Sequence, residues 1–415
     1  MNKSNSEDSL VYRHRWFEDP FLSIARDHPI AVITGARQVG KSTFLKHAQP
    51  TETWRYVTLD SSDALAQAQE NPEELWAGTD HMTLDEVQKA PELLSAVKKA
   101  VDEQPSRRFA LSGSANLLLM KQVSESLAGR AVYFTMTPLT LGEMENRPPS
   151  VLLQEALEGK FPQEGMIPSP APDPETLAIR GSMPRLLQLP EISACLQWWE
   201  GYVKTFVERD LRQLSQVDSL VDFRRAMGIL ALRTGQVLNQ SEVARDAQLK
   251  QPTFHRYLNL LEAACLVERV PCFARNRTSR LVKSPKTYWT DPALALFLSG
   301  IHDPQTLRAS REAGAALEGI VYHHLRALCG LMTPGAKVYY WRLLDGTEVD
   351  FIVEHGRDIV AIEVKRTENP SYRDAENLRQ FMELHPETRA AWILHAGRQI
   401  KRLGDKIIAI PWNLL

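Results

Sequence analysis

The chain has 415 residues, 43% of them hydrophobic and 24% charged, values ordinary for folded protein. At roughly 150 residues per domain, that length predicts two to four domains. Its 49 basic and 51 acidic residues give a formal charge of −2, which excludes a polycation that coats nucleic acid by charge alone and excludes an acidic disordered tail. A local basic surface stays open, because net charge hides segregation.

The four cysteines, Cys195, Cys265, Cys272 and Cys329, show no C-x-x-C spacing, so neither a zinc ribbon nor a redox pair is expected. Reduced cytoplasm is the expected compartment. The polar N-terminus lacks the apolar core of a signal peptide, and no run approaches the roughly 18 apolar residues of a membrane span. The reading is a soluble cytoplasmic protein without a membrane partner.

The first ten residues read as a mobile tail. Short apolar runs then alternate with helical patterns up to about residue 140. Buried strands are predicted at Pro29–Thr34, Trp54–Leu59, Met82–Leu84, Arg108–Ser112 and Ala131–Thr135. Strands separated by helices imply a parallel α/β sheet. Prolines at 148, 149, 162, 168, 170, 172 and 174 forbid regular structure where they cluster, and predict an exposed insertion or linker. Helical pattern resumes over about 191–232, then a compact helical unit with a hairpin (about 236–290). A last unit (about 300–415) opens with a helix and continues in strands. The expected boundaries are 11–146, 147–218, 219–295 and 296–415.

Between the first strand and a helix, Gly35-Ala-Arg-Gln-Val-Gly40-Lys41-Ser42 satisfies G-x-x-x-x-G-K-[ST] in full. Glycines let backbone N–H groups approach phosphate oxygens, and the helix start adds positive potential. Lys41 is expected on the β- and γ-phosphates, Ser42 on Mg2+, and Thr43 near the α-phosphate. Arg37 reads either as a nucleotide contact or as a solvent-facing side chain. The third strand ends in Asp85-Glu86: Asp85 would orient the Mg2+ water shell, and Glu86 would polarise the attacking water as general base. At the end of the fourth strand Ser112, Ser114 and Asn116 all qualify to contact γ-phosphate or water, with a helix cap the alternative for Ser114. Arg130 reads either as an arginine finger, in cis or from a neighbouring subunit, or as a sheet-end arginine.

The run from this P-loop through Leu84-Asp-Glu-Val-Gln88, Leu111-Ser-Gly-Ser-Ala and Ser126-Leu-Ala-Gly-Arg130 resembles a prokaryotic AAA-type ATPase family whose C-terminal domain has long been of unknown function. Glu208-Arg-Asp-Leu211, Arg233-Thr-Gly-Gln236, Gln251-Pro-Thr-Phe-His-Arg-Tyr-Leu258 and Lys283-Ser-Pro-Lys286 extend the resemblance over nearly the whole chain. It implies an α/β AAA-type core, a helical segment, a winged helix and a nuclease-like end, with ATP rather than GTP as the nucleotide.

Ser241 is the predicted N-cap of a short helix. Pro252 opens a second one, with Phe254, Tyr257, Leu258 and Leu261 at core spacing and Thr253, His255 and Arg256 turned outward. Strands at Cys265–Phe273 and Lys286–Trp289 would flank a basic wing carrying Arg275, Arg277, Arg280 and Lys283. That pattern predicts a winged helix with its second helix in a DNA major groove and the wing on phosphate. Residues 241–290 hold nine Lys/Arg against four Asp/Glu, a local excess of five positive charges. A protein–protein module is the competing reading.

Finally, Thr347-Glu348-Val-Asp350 and Glu363-Val-Lys365 predict a strand pair that brings Asp350, Glu363 and Lys365 together. The two carboxylates suit Mg2+, and the lysine suits a hydrolytic water. This resembles the PD-(D/E)xK restriction-endonuclease-like fold, with Glu318 matching its helical acid. A degenerate scaffold without cleavage is the alternative. Adjacent His323 and His324 do not share a helix face, so no metal pair is expected there. Together the patterns predict a DNA-remodelling ATPase, in a homo-oligomer or ring, acting on branched or recombination intermediates. Its rivals are an ATP-gated nuclease and a nucleotide-controlled protein switch.

Overall fold

The computed structural model describes residues 12–113, 127–167, 172–205, 217 and 219–415. The readings placed on the first ten residues, on Ser114, Asn116 and Ser126, on prolines 168 and 170, and on the 208–211 run lie outside them, as does the side chain of Arg277. The chain divides into two compact units. One takes residues 1–35, 40–136 and 142–148; the other takes 36–39, 137–141 and 149–415.

The first unit is built on a five-stranded parallel sheet. Its strands are β1 (Ile30–Gly35), β2 (Arg55–Thr58), β3 (His81–Asp85), β4 (Arg108–Ser112) and β5 (Ala131–Met136). Their order is β2-β3-β4-β1-β5, so the P-loop strand β1 lies between β4 and β5. Every residue of β1 is buried, which explains why its sequence is an unbroken apolar run rather than an alternation. Helices α1 (Glu18–Asp27), α2 (Lys41–His47), α3 (Ser62–Glu70) and α4 (Leu93–Glu103) supply the covering layers. Leu93, Leu94, Val97 and Val101 of α4 join Ile30, Val32, Leu84, Phe109 and Leu111 in one core. Each such side chain contributes about 1.5–3 kcal/mol on burial. A buried ion pair, Arg15 Nε to Glu143 Oε1 at 3.1 Å, fastens the chain entering this unit to the segment leaving it.

The second unit holds a seven-stranded mixed sheet. Its strands are β6 (Gly165–Met166), β9 (Lys337–Arg342), β10 (Glu348–His355), β11 (Asp358–Lys365), β12 (Thr388–His395), β13 (Gln399–Arg402) and β14 (Ile407–Pro411). The order is β6-β13-β14-β12-β11-β10-β9. Strands β9, β10 and β11 form an antiparallel meander, and β11, β12 and β14 run parallel. The helices Glu312–Gly330 and Glu376–Leu384 pack on this sheet. The interval expected as an exposed linker is instead partly structural. The helix Leu152–Leu157 packs on β11 and β12, and β6 pairs with Gln399 and Ile400 of β13.

Between these parts of the second unit lie helices Leu220–Ala231, Gln240–Asp246 and Gln251–Ala263 and a separate antiparallel pair, β7 (Val267–Val270) with β8 (Lys286–Trp289). Asn239 rather than Ser241 caps the first turn of Gln240–Asp246, accepting the Glu242 N–H at 3.2 Å. His323 and His324 are buried and spend their ring nitrogens on backbone: His323 faces the Leu139 carbonyl, and His324 accepts the Leu141 N–H.

Candidate functional site

The P-loop leaves β1 at Gly35 and enters α2 at Lys41. Gly35 has φ +143°, and a Cβ there would meet the Met136 carbonyl oxygen at 2.4 Å, so only glycine fits. Gly40 and Gln38 are left-handed at φ +103° and +63°, which curls the loop tightly. Lys41 is 6% exposed, and its ammonium donates to the Gly35 carbonyl at 3.1 Å, across the mouth of the loop. Arg37 is exposed, while Ser42 and Thr43 are partly buried on the first turn of α2.

Asp85 ends β3 and is 3% exposed. Its Oδ1 accepts from the Ser112 hydroxyl at the end of β4 and from the Glu86 N–H at 3.1 Å. Its Oδ2 accepts from the Tyr56 hydroxyl at 2.5 Å. Ser42 is hydrogen-bonded to that same tyrosine oxygen. Ser42, Tyr56, Asp85 and Ser112 therefore form one relay across the C-terminal ends of the strands, joining the P-loop helix to the acidic strand. Burial, reinforced by Asp85, pushes the Tyr56 phenol upward, so it stays a proton donor. A hydroxyl and a carboxylate held this way are hard oxygen donors that suit Mg2+. Ser42 and Asp85 would hold the ion, which would neutralise phosphate charge.

Glu86 follows with φ +60°, an uncommon backbone for a non-glycine residue. Its carboxylate accepts from the Gln88 side-chain amide. Neither Tyr56 nor Gln88 was singled out from sequence. Tyr56 sits in an ordinary strand, and only the order of the sheet brings it to Asp85.

The cis arginine finger is not borne out. Arg130 directly precedes β5, whose first residue Ala131 pairs with Ile30, the first residue of β1. The P-loop lies beyond the other end of that strand, about 17 Å away at strand rise. There Arg130 forms a two-pronged pair with Asp102, at 2.6 and 3.0 Å.

In the second unit, Gln251–Ala263 buries Phe254, Tyr257, Leu258 and Leu261 and leaves His255 and Arg256 exposed and Thr253 partly so, as the spacing predicts. His255 is held between Gln240 and Asn259 at 3.0 Å each. The wing differs from expectation. A helix, Arg277–Val282, replaces the hairpin loop between β7 and β8. Arg275 stays exposed. Arg280 does not face solvent: it grips Glu354 at 2.6 and 3.0 Å and stacks over Phe273 and Tyr339. Arg269 likewise pairs with Glu262. Part of the local positive excess is thus directed inward.

The predicted strand pair does form. Phe351 pairs with Ile362, setting Asp350 beside Glu363, and the Val364 N–H donates to Asp350 Oδ2 at 2.8 Å. Lys365 donates to Glu363 Oε1 at 2.7 Å. Glu318 and Glu348 join them. Burial, with Asp350 nearby, pushes Glu363 up to about 8 and Glu318 up to about 7. Into this group projects Lys286 from β8, 1% exposed. Its ammonium lies 2.6 Å from Glu348, 3.0 Å from Glu318 and 3.8 Å from Asp350. Burial opposes its charge, yet Glu318, Asp350 and Glu348 outweigh burial and hold its pKa above the ordinary lysine value. Among the described residues no three His, Cys, Asp or Glu side chains converge as a metal-binding group. The ammonium bridges Glu318, Glu348 and Asp350 but not Glu363, whose Oε1 takes Lys365 and whose Oε2 is buried without a hydrogen-bond partner.

Among the described residues no helix is long and apolar enough to cross a membrane. Residues 27–145 match an AAA domain, 172–305 a domain of unknown function (DUF8612) and 313–415 a second domain of unknown function (DUF4143). The chain is 31% identical over 395 residues to the uncharacterized protein Rv2008c of Mycobacterium tuberculosis (strain ATCC 25618 / H37Rv) and to the uncharacterized protein Mb2031c of Mycobacterium bovis. Each match covers 92% of this chain and 80% of the relative. The solved S. cerevisiae Hsp104–ADP complex is similar at a TM-score of 0.28 and 12% identity, over 77% of this chain and 44% of that one. So loose a likeness carries no argument, and the chain spans under half of that protein. On the mycobacterial relatives, this chain belongs to their family, and it carries an AAA-type P-loop domain followed by two domains of unknown function.

Proposed function

We propose that the protein is a Mg2+-dependent ATPase that acts on DNA, remodelling branched or recombination and repair intermediates. The observation carrying the hydrolytic part is the relay from Ser42 through Tyr56 and Asp85 to Ser112, with Glu86 next to it. It gathers a phosphate cradle, two metal-holding groups and a general base at one edge of one sheet. Lys41 balances β- and γ-phosphate charge, and Glu86 takes a proton from the attacking water. Glu86→Gln is expected to keep nucleotide binding and to suppress turnover. Undiminished hydrolysis in that variant removes Glu86 from the role.

DNA contact is assigned to the helix Gln251–Ala263, whose exposed face carries His255 and Arg256 with Thr253 at its edge, and to nearby Arg275. A helix held by a buried apolar stripe and exposed on its opposite face suits a major groove. Homo-oligomeric assembly, with ring closure, belongs to the same proposal. The deciding experiment measures ATP hydrolysis with single-stranded, duplex and four-way-junction DNA across a salt series. Stimulation by one of these, weakened and with a flatter salt slope in Arg256→Glu and Arg275→Glu, supports the reading. ATPase activity indifferent to every DNA favours a nucleotide-controlled protein contact instead.

A further inference from the structure

We infer that Lys286 is the resident cation of the carboxylate cluster in the second unit, and that the cluster is a latch fastening the β7–β8 pair to the C-terminal sheet rather than a divalent-metal nuclease centre. The cluster joins groups from separate places in the chain. Glu318 comes from the helix Glu312–Gly330, Glu348 and Asp350 from β10, Glu363 and Lys365 from β11, and Lys286 from β8.

Geometry favours the ammonium over an ion. Three of the four carboxylates lie within 3.8 Å of one Nζ atom; the fourth, Glu363, accepts from Lys365 with Oε1 and keeps a buried Oε2 without a hydrogen-bond partner. Two of the Lys286 donors reach Glu348 and Glu318, while Asp350, at 3.8 Å, is held by charge rather than by a hydrogen bond. Its neighbours are also committed. The Tyr288 hydroxyl donates to Glu318, and the Val364 N–H occupies Asp350 Oδ2. The lysine cannot swing out without unpacking. Its backbone bridges Val237, the Gly235 and Leu238 N–H groups bond to the Thr287 and Pro285 carbonyls, and its ammonium lies over the Tyr340 ring at 5.7 Å from the centroid. A divalent ion would need to displace a buried cation from a paired strand, leaving that charge uncompensated.

The test counts bound Mn2+ by electron paramagnetic resonance on the nucleotide-free full chain, wild type against Asp350→Asn, with thermal unfolding of both. The latch predicts no Mn2+ bound at the cluster in either protein and a lower melting temperature for Asp350→Asn. Lys286→Met, which empties the ammonium position, should unfold at lower temperature. If it stays folded, it should gain a Mn2+ site that Asp350→Asn abolishes. One Mn2+ equivalent on wild type that disappears with Asp350→Asn overturns the inference. So does Mn2+-dependent nicking of DNA lost in the same variant. The wild-type count decides the matter even where Lys286→Met fails to fold. It is also independent of the ATP site, so either proposal can fail alone.

Discussion

Replacing Tyr56 by phenylalanine tests the relay with minimal disturbance, because the ring and its contact with Lys46 stay while one hydroxyl goes. In the wild type, that hydroxyl is the donor to Asp85 Oδ2, at 2.5 Å. Asp85 Oδ1 keeps the Glu86 N–H and Ser112. The variant carboxylate is therefore held by one oxygen and free to rotate. A hydrogen bond to an ionised group contributes about 1.5–3 kcal/mol. Tyr56 is partly exposed, so the lower end applies, and about 1.4 kcal/mol is tenfold in an equilibrium constant. Half-saturating free Mg2+ for ATP hydrolysis should rise about tenfold, and the unfolding temperature should fall by about 3–6 °C as the same bond is lost. The assay is steady-state hydrolysis at saturating ATP over a free-Mg2+ series. An unchanged Mg2+ curve would refute a role for Tyr56 in holding the metal-orienting carboxylate.

Three further outcomes follow from other positions. Gly35→Ala forces a Cβ to 2.4 Å from the Met136 carbonyl at φ +143°, so ATP binding by calorimetry should be lost or the protein destabilised by about 1–3 kcal/mol. Arg280→Ala leaves Glu354 without its guanidinium and opens space over Phe273; urea unfolding should show a loss of about 2–4 kcal/mol, with the salt dependence of DNA binding unaltered. Burial pushes the Asp291 carboxyl up to about 6, against the N–H groups of Ser182 and Ala293. The folded state then keeps a proton that the unfolded state has released. The stability this group contributes is complete below its ordinary value of 3.8 and is lost as pH rises through about 6. The unfolding free energy of wild type minus that of Asp291→Asn should therefore fall by about 2.4 kcal/mol from pH 4 to pH 7, and a flat difference would contradict it.

The P-loop sheet was legible because its signals are local. An unbroken apolar run marks β1, the glycine spacing marks the turn, and Asp85-Glu86 follows the next short run but one. What escaped notice depends on the order of strands. Tyr56 matters only because β2 pairs with β3, and nothing in Arg55-Tyr-Val-Thr announces that. Lys286 read as one more basic residue in a positive stretch. Its burial arises because β8 lies against the C-terminal helix and strands, a long-range fact invisible to counting charge. The same blindness made Arg280 look like a DNA contact: Glu354, 74 positions later, claims it. For Arg130 the motif gives a position in sequence but not the end of the sheet at which it sits, so only the strand order separates the sheet-end reading from a finger in cis.

The short pairing of β6 with β13 has a consequence for heredity and for the bench. The strand that closes one edge of the C-terminal sheet is supplied from residues lying well before the helices that precede that sheet. Cutting the gene near residue 300 to express the last part alone would remove this cover and leave β13 as a bare, sticky margin prone to self-association. Residues 149–415 therefore travel as one block. A truncation or crossover that falls inside this block exposes that edge.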